Sequence, residues 1–192
     1  MTAPDGVTVY DRPDGPEKLE LSGRSLMGAT QTLRTVGERG GWWQVKLPVR
    51  PNDATGWIRK ADVRPPTTIR TRIEIDRATH RLTFLDDGAV VARYPVVLGT
   101  RATPTPAGRF FVVDNISTPN PAGAYGPYAL GLSGHSEVLY SFGSSDGDLA
   151  IHGTNAPSLL GTNASNGCIR LRNADITALR ALVPLGTPVV VR

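Results

Sequence analysis

Ser165-Asn166-Gly167-Cys168-Ile169-Arg170 carries the chain's one cysteine, and sixteen positions upstream Ile151-His152-Gly153-Thr154-Asn155 carries one of its three histidines. A thiol among small and polar residues, with an imidazole supplied by another segment, is the minimum set for an activated sulfur nucleophile. Acyl transfer through a thioester is the chemistry these residues suggest. The competing reading is structural, because a free cysteine is commonly a small buried hydrophobe. Gly167 lets the backbone turn sharply before the thiol, so the amides of Gly167 and Cys168 are candidate oxyanion donors. Arg170 lies two positions on and therefore on the same side of an extended segment as Cys168. Two roles stay open for it, a planar clamp on a substrate carboxylate and a partner in a structural ion pair. Gly153 and Thr154 follow the histidine and are placed to orient its ring through a carbonyl or a hydroxyl, since no acid stands at a fixed spacing to do so.

The rest of the composition narrows the setting. The chain has 192 residues and 40% hydrophobic content, enough for one large or two small cores. No apolar run approaches the roughly 18 residues of a membrane helix, and Met1-Thr2-Ala3-Pro4-Asp5-Gly6 lacks a signal peptide's basic and apolar regions. A lone cysteine excludes an intramolecular disulfide, and His80, His135 and His152 are too scattered for a zinc site, so no structural metal is expected. The net charge of +4 is modest and forms no basic stripe, which argues against a nucleic-acid partner. It does favour attraction to an acidic polymer such as a bacterial wall.

Before residue 65 the chain reads as five short strands separated by turn residues: Val7–Tyr10, Lys18–Leu21, Thr32–Val36, Trp43–Leu47 and Trp57–Arg59. Closing into a small barrel would hide their edges. Trp43 and Trp57 are expected in its core and Trp42, of opposite strand parity to Trp43, outside it. Pro65-Pro66-Thr67-Thr68 reads as a short, semi-rigid linker, giving units 1–64 and 69–192. The second unit is mainly β, with strands over Arg72–Asp76, Arg81–Leu85, Val90–Val97, Arg109–Val113, Val138–Tyr140, Leu149–Ile151 and Pro188–Val191. One helix follows the cysteine, with Asn173 as N-cap and Ile176, Leu179, Leu182 and Val183 on one face, ended by Pro184 and Gly186. His80 is expected as a solvated turn residue, and His135 as a loop residue, with a place in a cleft as its alternative. The long Gly-, Ser- and Pro-rich stretch 115–147 reads as a flap over the thiol, with Tyr128 lining the cleft.

Gly41-Trp42-Trp43-Gln44-Val45-Lys46-Leu47 and Thr55-Gly56-Trp57-Ile58 resemble a bacterial SH3-like domain, which implies cell-wall targeting. From about Ile69 onward the chain resembles the L,D-transpeptidase catalytic domain of the YkuD type. Four segments carry that likeness in order: 103–110 (TPTPAGRF), 125–130 (YGPYAL), 151–155 (IHGTN) and 165–171 (SNGCIRL). The resemblance implies a β-sandwich-like domain acting outside the cytoplasmic membrane, in the periplasm or cell wall, on peptidoglycan stem peptides, as a monomer and without a cofactor. It implies Cys168 as nucleophile, His152 as base, Gly153 and Gly167 as supporting catalytic residues, and Arg170, Thr154, Asn155, Ser165, Asn166 and Tyr128 as substrate-binding residues. Asn166 stands where the family often has histidine, which implies tuned activity. Water as acceptor would make a carboxypeptidase of the same fold. A wall-binding protein without activity and a peptidase for ordinary peptides are the other readings.

Overall fold

The computed structural model describes residues 1–141 and 146–192. Residues 142–145 of the expected flap lie outside the described residues. In the amino-terminal part, β1 (Val7–Tyr10), β2 (Glu17–Leu21), β3 (Arg34–Arg39), β4 (Trp42–Lys46) and β5 (Thr55–Arg59) form one antiparallel sheet in the order β2-β1-β5-β4-β3. Val9, Val45, Leu47 and Ile58 fill its core together with Leu33.

The tryptophan expectation is corrected here. Trp42 is only 8% exposed, while Trp43 and Trp57 are half-buried. Parity does put Trp43 with the core residue Val45, at its margin. Trp42, on the other face, is covered by an edge-to-face contact with Tyr10 at 5.0 Å and by the Arg59 guanidinium. Ile58 takes the interior position in β5, leaving Trp57 opposite Gln44.

The second part contains β6 (Thr71–Asp76), β7 (Arg81–Asp86), β8 (Ala89–Pro95), β9 (Leu98–Gly99), β10 (Gly108–Ser117), β11 (Tyr128–His135), β12 (Asp148–His152), β13 (Asn163–Ser165), β14 (Ile169–Arg170) and β15 (Pro188–Val191). Eight of them make one mixed sheet in the order β14-β12-β11-β10-β15-β6-β7-β8, while β13 and β9 pair separately and in parallel. Side chains from nearly every strand and from α1 (Asn173–Arg180) share one core, including Ile73, Phe84, Phe110, Leu130, Ile151, Ile169 and Leu179.

Three local expectations fail for identifiable reasons. The stretch read as an open flap contains β11, a central strand paired to β10 and β12. Its glycines conceal it: a Cβ on Gly134 would stand 2.3 Å from the Phe110 ring, and one on Gly131 would stand 3.0 Å from the Asp114 Cβ. Close packing here demands residues of low strand propensity. Val138–Tyr140 is not a strand, and Tyr140 is exposed. The helix ends at Arg180, so Leu182 is exposed, and Asn173 is its first residue rather than its cap. The Asn173 side chain instead accepts a hydrogen bond from the Thr154 N–H at 2.8 Å, tying the helix to the end of β12.

Residues 64–70 have no regular structure. Direct contacts nonetheless join the two parts: Arg50 and Asn52, in the loop between β4 and β5, reach His135, Ser136, Leu139 and Asp146, and Ser25 donates to the Asp114 carboxylate.

Candidate active site

The strand order brings the two reactive groups together. β12 and β14 pair in parallel with Ile151 opposite Ile169 and His152 opposite Arg170. Cys168 therefore enters beside Ala150, and alternation puts Cys168, Arg170, Ala150 and His152 on one face of the pair. Ala124, Tyr125, Ser136, Leu139, Gly147, Asp148, His152, Asn166, Cys168 and Arg170 line a cavity of about 190 Å³.

The loop before the thiol is held from several sides. Ser165 Oγ donates to the Cys168 carbonyl at 2.6 Å and accepts from the Gly167 N–H at 3.1 Å. Gly167 sits at φ 115°, a conformation that a Cβ would strain. Thr105 Oγ1 donates to the Gly167 carbonyl at 2.8 Å and accepts from the Gly99 N–H at 2.9 Å, while Thr103 Oγ1 donates to the Ser165 carbonyl at 3.1 Å. The Thr103-Pro104-Thr105 segment thus braces the turn that presents Cys168. The Gly167 amide, a candidate oxyanion donor, is hydrogen-bonded to Ser165 Oγ in this structure.

His152 is buried, and its Nδ1 lies 2.6 Å from the Gly153 carbonyl. Donation from Nδ1–H to that oxygen leaves Nε2 as the basic nitrogen. Burial lowers the imidazole pKa to about 4; the carbonyls of Gly153 and Tyr125 oppose the drop, and the Arg170 charge adds to it. Burial likewise pushes the Cys168 thiol above its ordinary range, and the Asp148 charge adds to this against the pull of the Ala150 amide and Arg170. Both shifts favour the neutral form of the group concerned. The thiol's hydrogen-bond partner among the described residues is the Asp148 carbonyl, at 3.9 Å.

The other expected site residues divide. Asn166 and Arg170 line the cavity, and Arg170 has no ion-pair partner among the described residues, which removes its structural reading. Ser165 is buried in the loop. Thr154 is also buried, its hydroxyl accepting from the Ala156 N–H at 3.1 Å, and Asn155 points to solvent, so neither lines the cavity. Tyr128 is a correction: it packs on the core beneath the Arg180 guanidinium, 4.1 Å from the ring. Tyr125 takes the place assigned to it, its ring centroid 4.7 Å from that of His152. The turn that aims Tyr125 needs Gly126, where φ is 62° and a Cβ would stand 2.6 Å from the Gly153 Cα. His80 is not merely solvated, since Nε2 lies 2.9 Å from Asn163 Oδ1.

Asp148 was not among the expected site residues, and His135, expected in a loop, ends β11 instead. His135 is buried with Nε2 3.1 Å from Asp148 Oδ1, and this hydrogen bond is the main reason the Asp148 carboxyl is held below its usual range. Only the fold shows that the two meet beside the thiol.

A curled, mainly β sheet with a thiol and an imidazole converging in one cavity defines a cysteine-dependent acyltransferase. The L,D-transpeptidase catalytic-domain (YkuD) model matches residues 70–191, and the chain belongs to that family. L,D-transpeptidase YkuD of Bacillus licheniformis is 37% identical over 127 residues, covering 66% of this chain and 68% of that protein. Its Bacillus subtilis counterpart is 34% identical over 126 residues, with the same shares. The fold is also that of L,D-transpeptidase 3 from Mycobacterium tuberculosis, solved with a faropenem-derived adduct, at a TM-score of 0.52, 17% identity, and coverage of 88% of this chain and 80% of that one.

Proposed function

We propose that this protein is a peptidoglycan L,D-transpeptidase acting outside the cytoplasmic membrane, with Cys168 as nucleophile and His152 as proton carrier. The observation that carries the reading is the convergence of Cys168, His152 and Arg170 on one cavity. Cys168 Sγ attacks the carbonyl that precedes the terminal D-alanine of a stem tetrapeptide as His152 Nε2 takes the thiol proton. The peptide C–N bond then breaks, D-alanine leaves with that proton on its nitrogen, and an acyl-thioester remains. An amine of a neighbouring stem attacks the thioester, its proton passing to His152 and on to the departing thiolate, and the 3-3 crosslink forms. The Cys168 amide is the donor this loop offers to the oxyanion. The amino-terminal sheet, SH3-like in its sequence segments, serves to hold the enzyme on the wall.

Intact-mass spectrometry with a disaccharide-tetrapeptide tests the whole reading. A covalent adduct together with crosslinked dimer is the expected result. Adduct with shortened stems alone would instead establish a carboxypeptidase, and no adduct with either the tetrapeptide or faropenem would leave a wall-binding protein.

Arg170 offers a second test. Its guanidinium holds a substrate carboxylate, and a charge-assisted hydrogen bond of this kind is worth about 1.5–3 kcal/mol, or roughly 10- to 100-fold in affinity. Arg170→Gln is expected to raise KM by that factor, with Arg170→Lys recovering part of it because an ammonium lacks the planar fork. Steady-state kinetics on the tetrapeptide decides; an unchanged KM in Arg170→Gln would remove the carboxylate clamp.

A further inference from the structure

One wall of the cavity is not held by the catalytic part alone. Ser136, Leu139, Gly147 and Asp148 supply that wall, and they stand at the two flanks of the connection from β11 to β12. The Ser136 N–H donates to the Gly147 carbonyl at 2.8 Å and closes the base of the connection. Into it reaches Arg50, from the loop between β4 and β5 of the amino-terminal sheet. Its Nη1 donates to the Ser136 carbonyl at 2.7 Å, and its Nη2 to the carbonyls of Leu139 at 2.9 Å and Asp146 at 2.8 Å. The Asp146 carboxylate lies 3.4 Å from Nε, and the Tyr140 ring centroid 4.6 Å from the guanidinium carbon.

Two further features show that the connection is built around this side chain. A Cβ on Gly147, which sits at φ 71°, would stand 2.0 Å from the Leu139 carbonyl and 2.9 Å from Arg50 Nη2. Two positions from Arg50, Asn52 pairs with both backbone groups of His135: its Nδ2 donates to the carbonyl at 2.8 Å and its Oδ1 accepts the N–H at 2.9 Å. His135 in turn holds the Asp148 carboxylate, and the Asp148 carbonyl takes the hydrogen bond of the thiol. A continuous set of polar contacts therefore runs from the amino-terminal sheet to Cys168.

We infer that Arg50 and Asn52 are positioning residues for catalysis, and that the amino-terminal sheet sets the shape of the acyl-donor cavity by pinning this wall. A guanidinium suits the task because its fixed fork of donors reaches three carbonyls at once, which an ammonium on a flexible stem does not. Carbonyl oxygens satisfied in this way cannot be replaced by water without loosening the segment that carries them. The proposal rests on the transpeptidase reading for its activity readout but not for its structural one.

The test uses the full chain and the variants Arg50→Ala, Arg50→Lys and Asn52→Ala. Faropenem acylation is followed by intact mass over a concentration series, Cys168 alkylation by iodoacetamide, and amide hydrogen exchange by peptide mass. Arg50→Ala is expected to lower the second-order acylation rate by roughly 10- to 100-fold, the scale of a small misplacement in a reactive site. Most of the loss should fall in the concentration for half-maximal rate, because the wall holds the ligand and performs no chemistry. Arg50→Lys should recover little of it. Iodoacetamide, which needs no wall, should react within about twofold of the parent rate, and exchange should rise over 136–140 while β10 and β15 stay protected. Asn52→Ala should show the same pattern more weakly. Acylation of Arg50→Ala within about threefold of the parent, or exchange unchanged over 136–140, would overturn the proposal. If the parent itself forms no adduct, the transpeptidase reading fails, and the exchange result alone decides whether the pinning is real.

Discussion

Cys168→Ala is expected to abolish the covalent adduct with both tetrapeptide and faropenem, and to lower turnover by on the order of 10⁴-fold or more, the range seen when a nucleophile is removed. No other thiol exists in the chain to substitute for it. The loss can be assigned to chemistry rather than folding because the presenting turn does not depend on the sulfur. Its bonds run from Ser165 Oγ to the Gly167 amide and the Cys168 carbonyl, and from Thr105 to the Gly167 carbonyl. The thiol itself donates only weakly, to the Asp148 carbonyl at 3.9 Å. Thermal unfolding of the variant should accordingly stay close to that of the parent. Cys168→Ser should be nearly as inactive, since the same buried surroundings that already push a thiol upward would leave an alcohol fully protonated beside so weak a base. Intact mass and steady-state turnover check both variants. An adduct of parental mass shift on Cys168→Ala would place the nucleophile elsewhere and remove the thioester mechanism.

The residues that perform the proposed chemistry were legible in the sequence, and the residues that hold them were only partly so. Cys168, His152 and Arg170 sit in short segments whose residue types announce their use, and simple strand alternation puts Cys168 and Arg170 on one side. The parallel pairing of β12 with β14 was not legible, because two short strands with intervening turns carry no sign of their register. β11 was hidden by the glycines that close packing against Phe110 and Asp114 requires. That one misreading also turned Tyr128 outward, when strand pairing leaves it on the core and hands the cavity to Tyr125. His135 and Asp148 are separated by a segment with no periodic pattern, and Arg50 is one of many arginines in a loop. Contacts of that kind depend on tertiary placement, which composition and period do not encode. In the amino-terminal part, the five strands were found because turn residues separate them, whereas the burial of Trp42 was decided by partners, Tyr10 and Arg59, on the other face of the sheet.

His152→Ala is expected to lower kcat/KM by on the order of 10³-fold, within the span that a positioned proton carrier supplies, and its pH profile identifies the mechanism. With the imidazole pKa at about 4 and the thiol displaced upward, the parent carries a neutral thiol and a neutral base across the neutral range. Proton transfer then accompanies attack, so the parent's kcat/KM should be flat through neutrality and fall only as pH drops through about 4. Without the imidazole, attack depends on the small fraction of thiolate, so the logarithm of the variant's rate should climb by about one per pH unit across the same range. Stability follows the same shift. The unfolded chain protonates this histidine below about 6.5 and the native state only near 4, so between those values the unfolded state binds more protons and stability falls as pH falls. That loss amounts to roughly 3 kcal/mol once pH is below about 4, and His152→Ala should lack it, giving a flatter dependence of unfolding free energy on pH from 6.5 to 4. A parental kcat/KM that falls along a basic limb above neutrality, as an imidazolium loses its proton, would instead mean that the substrate-free enzyme holds a thiolate–imidazolium pair. The neutral-pair mechanism would then be wrong, although the nucleophile would still be Cys168.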